Sequence, residues 1–321
     1  MTTSKKKQKR YSIKNRPSKV KVSDSALPYK AGDSVLSFLR SLPLQLAAVE
    51  LRDAARAIVK AREGGKNVIA GFGGHVIKVG VGSILADLIE RDMITALATN
   101  GAGMIHDFEL ATAGKTSEDV DLTLGEGTFG FASETGRILN ECAARAAREG
   151  IGLGLAIGKW LHDKKPKHLR SSVFATAYER KIPITVHVAL GTDIVHMHPE
   201  ADGAAWGAAS MTDFEDFCSS VAELEGGVYI NLGSAVILPE VFLKAVSKAH
   251  NMGKKLKRIT TIDVDFIRQY RPQTNVVRRP TSEGGRGISL VGHHELVIPL
   301  LAAAVVEAAG GKDRRGGGIF R

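Results

Sequence analysis

Residues 68–76 read Val-Ile-Ala-Gly-Phe-Gly-Gly-His-Val, and this stretch decides the fold. Val68-Ile69-Ala70 is an aliphatic run with no polar interruption, the pattern of a short strand covered on both faces. Gly71-Phe72-Gly73-Gly74 ends it, and a helical pattern resumes through Ile84-Leu85-Ala86-Asp87-Leu88-Ile89. Upstream, Leu46, Val49, Ala54 and Ile58 recur at helical spacing over 46–63, and Gly64-Gly65 stops that helix. Downstream, 94–98 reads as the next strand, followed by the turn Asn100-Gly101-Ala102-Gly103. The beat continues with helix 134–149, strand 184–189, helix 214–223, strand 228–232, helix 240–251, strand 257–262 and helix 296–309. Strands alternating with helices of this length predict βαβ units. The expected class is α/β: a doubly wound, mostly parallel sheet with helices on both faces. No internal repeat or Pro/Ser-rich linker divides the body, so residues 23–311 are expected to form one domain.

The 321 residues have near-neutral mean hydropathy, as a globular chain does. The long apolar stretch Leu296 to Ala309 is broken by Glu307 and is too short for a spanning helix. The charged first residues lack a following apolar segment, so no secretory signal is expected and the chain is read as cytoplasmic, with no membrane partner. Cys142 and Cys218 are too few for a disulfide framework or a thiolate metal site. Of the net charge of +10, nine basic side chains precede Asp24 and the last ten residues are also basic, leaving a slightly acidic body. Residues 1–22 are expected to be a flexible basic arm and 312–321 a flexible basic tail. Tyr11 alone interleaves the arm's charges, so nucleic-acid binding by the arm is not the favoured reading.

Gly71, Gly73 and Gly74 lie between strand and helix, where bare backbone can approach a phosphate, although Val76 stands where a third glycine is usual. Tight turns use glycine for conformational reasons too. The second turn, Asn100 to Gly103, repeats the arrangement and strengthens a nucleotide reading. Gly114-Lys115-Thr116 ends like a P-loop, but Glu109 occupies the position of the required glycine. Thr116-Ser117-Glu118-Asp119 reads instead as a side-chain-capped helix start. His106-Asp107-Phe108-Glu109 places three ionisable groups beside the second turn, either as a satisfied helix start or as groups within reach of a ligand. His187, Asp193, His196, His198 and Glu200 form the densest cluster of candidate ligands. In an extended segment His196 and His198 point to one side, as metal ligands or as acid–base groups. No resident metal is assigned.

Segments 68–109, 181–197 (KIPITVHVALGTDIVHM), 226–253 (GGVYINLGSAVILPEVFLKAVSKAHNMG) and 292–308 (GHHELVIPLLAAAVVEA) together resemble, in collinear order, the deoxyhypusine synthase family. The resemblance implies a single NAD-binding domain and a homotetramer or other homo-oligomer with active sites between subunits. It implies cofactor contacts at Gly74, His75 and Lys78, then at Asn100, Gly101, Ala102, Gly103 and His106, at Asp193, at Gly233, Ser234 and Ala235, and at Thr261 and Asp265. In that family NAD oxidises spermidine, and a lysine within Trp-Gly-Lys takes the butylamine group. Here the corresponding segment reads TNVVRRPTSEGG, with Arg278 and Arg279 and no lysine. An arginine stays protonated and forms no imine. Pro239-Glu240 replaces the family's paired histidines, and His196 replaces an acidic amine-binding residue. The expectation is an NAD-dependent dehydrogenation or group transfer on an amine or other small-molecule polar substrate, with His106, Asp107, His196 and His198 as proton-transfer candidates and Lys78 or Lys115 as spare amines. The alternatives are a true deoxyhypusine or homospermidine synthase, a non-catalytic nucleotide-sensing scaffold, and a metal-dependent hydrolase at His196/His198.

Overall fold

The aliphatic runs pair into one six-stranded sheet in a computed structural model that describes residues 8–310. The strands are β1 (Val68–Phe72), β2 (Ala96–Asn100), β3 (Ile184–His187), β4 (Val228–Leu232), β5 (Thr260–Asp265) and β6 (Arg286–Val291). Their order is β3-β2-β1-β4-β5-β6, and every pairing is parallel. This is the strand order of doubly wound dinucleotide-binding sheets, whose ligand crevice lies outside the carboxyl ends of the strands. All five residues of β1 are buried, as a central parallel strand requires.

Helices connect the strands: α1 (Val35–Ser41), α2 (Leu46–Glu63), α3 (Gly74–Lys78), α4 (Gly82–Glu90), α5 (Gly101–Ala113), α6 (Val120–Thr123), α7 (Ser133–Glu149), α8 (Leu153–Lys164), α9 (Val173–Glu179), α10 (Gly203–Ala222), α11 (Ile237–Asn251) and α12 (His294–Gly310). One large core unites α2, α4, α7, α8 and α12 with one side of the sheet, while a second, built on Phe217, Tyr229, Leu238 and Phe242, packs α10 and α11 on the other. Burial on both faces is the physical content of the doubly wound class. Arg52 is only 2 % exposed, yet it is satisfied, because its guanidinium donates to the carbonyls of Leu39, Leu42, Pro43 and Ala48 and so ties the end of α1 to α2.

Several boundaries differ from the sequence reading. β2 and β5 each run further toward their carboxyl ends than expected, and β6 was not anticipated. Asn100 to Gly103 is no free turn, since Gly101 opens α5 and the Asn100 side chain caps it by accepting the Gly103 amide at 2.9 Å. The capped helix start read at 116–119 is corrected: the short helix α6 has Asp119 at its N-cap with no side-chain cap bond, and Ser117 takes a positive φ of 67°. The expected basic arm is described only from residue 8, over which residues 8–22 are exposed, and its first seven residues and the tail 312–321 lie outside the described residues.

Candidate functional site

One face of α5 forms the floor of a cavity of about 850 Å3 at the carboxyl side of the sheet. The lining residues Ala102, Ile105, His106, Glu109, Thr112 and Ala113 follow the helical stripe i, i+3, i+4, i+7, i+10, i+11, so the cavity runs along the whole helix. Ligand pockets commonly have volumes of about 300–1,000 Å3. α5 ends at Gly114, whose φ of 72° supplies the left-handed C-cap that turns the chain back over the helix. The returning loop is pinned at Gly130, where Glu118 Oε2 accepts the amide at 2.8 Å and His198 Nε2 donates to the carbonyl at 2.9 Å. Lys115, Thr116, Ser117, Glu118, Val120 and Phe129 of this loop form the opposite wall.

Inside the cavity a hydrogen-bonded chain crosses from helix to loop. His106 Nδ1 lies 2.8 Å from Thr116 Oγ1, and the Thr116 hydroxyl donates to Glu109 Oε2 at 2.5 Å. Thr135, from the first turn of α7, donates to Glu109 Oε1 at 3.0 Å. Burial, assisted by the charge of Lys78, lowers the His106 pKa to about 4, so the imidazole is neutral near pH 7. At the amino end of α5, Asp193 sits against the Cα of Gly101, where a Cβ would lie 2.0 Å from its Oδ2. Burial raises its carboxyl to about 6, partly opposed by the Thr192 hydroxyl. Lys78, Lys115 and Glu134 complete a lining of both charge signs.

Of the residues singled out in sequence, the cavity gathers Lys78, Ala102, His106, Glu109, Lys115, Thr116 and Asp193 directly, with Asn100, Gly101 and Gly103 beneath as the start of α5. The first glycine turn is packed against protein. A Cβ on Gly71 would meet the Tyr229 hydroxyl at 2.5 Å, on Gly73 the Gly233 carbonyl at 2.5 Å, and on Gly74 the Ala102 Cβ at 2.8 Å. These glycines let β1 approach β4 and α5 closely. Gly233, at φ 60°, leaves its Cβ space to the His294 ring, while Ser234 caps α11 by accepting the Leu238 amide at 3.2 Å, and Ala235 is half-buried in the same turn. His75 is exposed with its ring centroid 5.2 Å from that of His294, and Asp265 accepts the Phe266 amide at 2.7 Å. Thr261 is buried as the second residue of β5, four residues from the carboxyl end that faces the crevice.

Asp107 does not reach the cavity. It is 1 % exposed and accepts from the Ser172 hydroxyl and the Val173 amide, at 2.5 and 2.8 Å, capping α9. The extended His-x-His pair is also corrected: Ile194–Met197 is a 3-10 turn, His196 Nδ1 accepts the Gly191 amide at 3.2 Å, and His198 holds Gly130. Among the described residues no group of three or more His, Cys, Asp or Glu is placed to hold a metal. His187 is buried against Thr185 at 3.0 Å. Thr135 carries no signal in the sequence, and the bonds that join Glu109 and Thr116 to His106 appear only in the fold. The spacing of His106 and Glu109, three apart on one helix, was the available signal.

The family model described as deoxyhypusine synthase matches residues 42–139, a span that contains β1, β2, α5 and the loop over it. Over those residues the chain is similar to deoxyhypusine synthase. Solved structures agree on the fold. The chain superposes on AgrE, in its ternary complex with ornithine and NAD+, with a TM-score of 0.53 and 20% identity over 80% of this chain and 33% of that one. A conserved LOR/SDH-type protein from Methanococcus maripaludis S2 gives 0.52 and 16%, over 89% of this chain and 74% of that one. The chain thus spans about a third of the length of AgrE. Among curated proteins none matches in sequence. No helix among the described residues is long and apolar enough to cross a membrane.

Proposed function

We propose that this chain is an NAD-binding enzyme that dehydrogenates, or transfers a group on, a small polar substrate lying along α5. The observation that carries the reading is a neutral histidine on the wall of a cavity lined by both charge signs, at the carboxyl edge of a sheet with dinucleotide-binding strand order. AgrE was crystallised with NAD+, which supports the cofactor as a proposal here.

The residues fit a dinucleotide at α5 better than at the first glycine turn. Gly73 and Gly74 face the Gly233 carbonyl and Ala102, whereas the amino end of α5 opens at Ala102 into the cavity. The residues that would hold the cofactor are Ala102 with the first α5 amides, Lys78 for its phosphates, and Asp193 with Thr192 for hydroxyl groups. When bound, NAD+ supplies a hydride acceptor. The chain's own share is to exclude water beneath the 114–132 loop, to orient a polar substrate between Lys115 and Glu134, and to take a proton at His106.

Three departures from the family pattern favour a substrate other than spermidine: Arg278 and Arg279 without a lysine, Pro239-Glu240, and His196. The structure of 272–278 is a wide π-type helix with Arg279 Nη1 donating to Asn275 Oδ1 at 2.8 Å. A homo-oligomer is also proposed, supported by the apolar side chains Val120, Leu122 and Leu124 exposed on and beside the loop that covers the cavity. Sedimentation at several concentrations tests it. Calorimetric titration with NAD+ tests the function: saturable binding weakened in K78A supports it, and no heat at millimolar cofactor removes it.

A further inference from the structure

We infer that Thr116 and Glu109 are positioning residues that hold His106 as the tautomer protonated on Nδ1, leaving Nε2 toward the cavity as a proton acceptor. The inference rests on the proposal that His106 is the proton-transfer group. Its physical basis is a count of donors. A threonine hydroxyl has one proton and two acceptor sites, and an ionised carboxylate only accepts. At 2.5 Å from Glu109 Oε2, the Thr116 proton is engaged by the carboxylate. The 2.8 Å contact between Thr116 Oγ1 and His106 Nδ1 then needs its proton from the imidazole. A ring nitrogen's tautomer is set by the hydrogen bond made by its partner nitrogen.

Three separate elements build this arrangement. His106 and Glu109 stand one turn apart on α5, Thr116 comes from the loop beyond the Gly114 cap, and Thr135 from α7 holds the second carboxylate oxygen at 3.0 Å. Glu109 is thereby fixed on both oxygens, and Thr116 carries its influence to the imidazole. Neither residue needs to touch substrate to do this.

The consequence concerns substrate class. A lone pair on Nε2 repels carbonyl, carboxylate and phosphate oxygens and welcomes an O–H or N–H donor. The cavity therefore selects an alcohol or an ammonium-bearing compound in the direction of oxidation. In that direction the proton of the substrate O–H or N–H passes to Nε2, and the electron pair it leaves closes the new C=O or C=N bond. A bound NAD+ would supply the acceptor for the hydride lost from the adjacent carbon. The imidazolium so formed keeps its Nδ1–H bond to Thr116, and the Glu109 carboxylate stabilises it through that hydroxyl.

Imidazole nitrogen NMR on the full chain without cofactor tests the assignment. The expected wild-type spectrum shows a protonated Nδ1 and a bare Nε2 for His106, identified by its loss in H106Q. In T116V the two nitrogen signals should move toward each other as both tautomers become populated, and T116S should restore the wild-type spectrum. A wild-type His106 protonated on Nε2 overturns the inference, as does a T116V spectrum unchanged from wild type. Should T116V fail to fold, the wild-type and T116S spectra decide alone. Because no cofactor is present, failure to bind NAD+ is a separate result that bears on the proposed function.

Discussion

The Asp213 carboxylate, on α10, accepts the Gly154 amide at 3.1 Å, joining the middle of one helix to the first turn of α8. The same oxygen accepts the Val186 amide of β3 at 2.8 Å, so one buried acid ties two helices to a strand. Burial pushes this carboxyl up to about 8 from 3.8, against the pull of the amides. A carboxyl with a higher pKa folded than unfolded holds its proton more tightly in the folded chain. Its contribution to stability is therefore full below the unfolded value of 3.8 and lost as pH rises through about 8. Urea midpoints across that range should fall with pH, and D213N should flatten the fall. D213A strands two buried amides and should cost about 2–4 kcal/mol.

His106 is shifted the other way, and its titration reports on Lys78. Burial is the larger cause of its pKa of about 4 and Lys78 the smaller. In K78A the pKa should rise part of the way toward 6.5, followed by the ring-proton NMR shifts. A histidine with a depressed folded pKa adds stability that is lost as pH falls from 6.5 toward 4. K78A should narrow that window. An unmoved His106 titration in K78A would contradict the assigned contact.

Two glycine-to-alanine changes should act in opposite directions. At Gly103 a Cβ would lie 2.0 Å from Thr99 Oγ1, which itself donates to the Phe72 carbonyl at 2.8 Å. G103A should destabilise by about 1–3 kcal/mol through overpacking. Gly207 lies within α10 with no atom within 4 Å of its Cβ position. G207A should stabilise by about 0.5–1 kcal/mol, since alanine is the better helix residue. Thermal denaturation of the two variants gives the sign directly.

Asp107 serves α9 rather than the cavity, and its removal should separate stability from binding. D107A leaves the Val173 amide without its acceptor and should cost about 1–3 kcal/mol in urea unfolding. Its NAD+ affinity, measured by calorimetry below the unfolding range, should match wild type. A large loss of affinity in a folded D107A would return Asp107 to the site.

Elements whose side chains meet one kind of neighbour were legible in the sequence. α2 and β4 begin and end where the pattern places them, because a two-faced helix and a fully buried strand each show one unbroken period. β6 escaped notice because only Ile288 and Leu290 are buried in an edge strand whose other residues are partly or fully exposed. α5 was hidden by its own start, since Gly101 and Gly103 suit a turn equally well but are small here for Asp193 and Thr99. The site was half legible. His106 follows from its place after β2, whereas Thr116 and Thr135 join it only because Gly114 reverses the chain, a long-range event without local pattern.

The stripe along α5 limits how this cavity could have changed over generations. Each residue of an α-helix is turned by about 100° from the last. Gaining or losing one residue near the start of 101–113 would swing His106, Glu109 and Thr112 off the floor together and send buried Asp107 and Phe108 around the rod. Point replacement, one position at a time, is the route by which the lining of such a floor can be retuned without dismantling the helix.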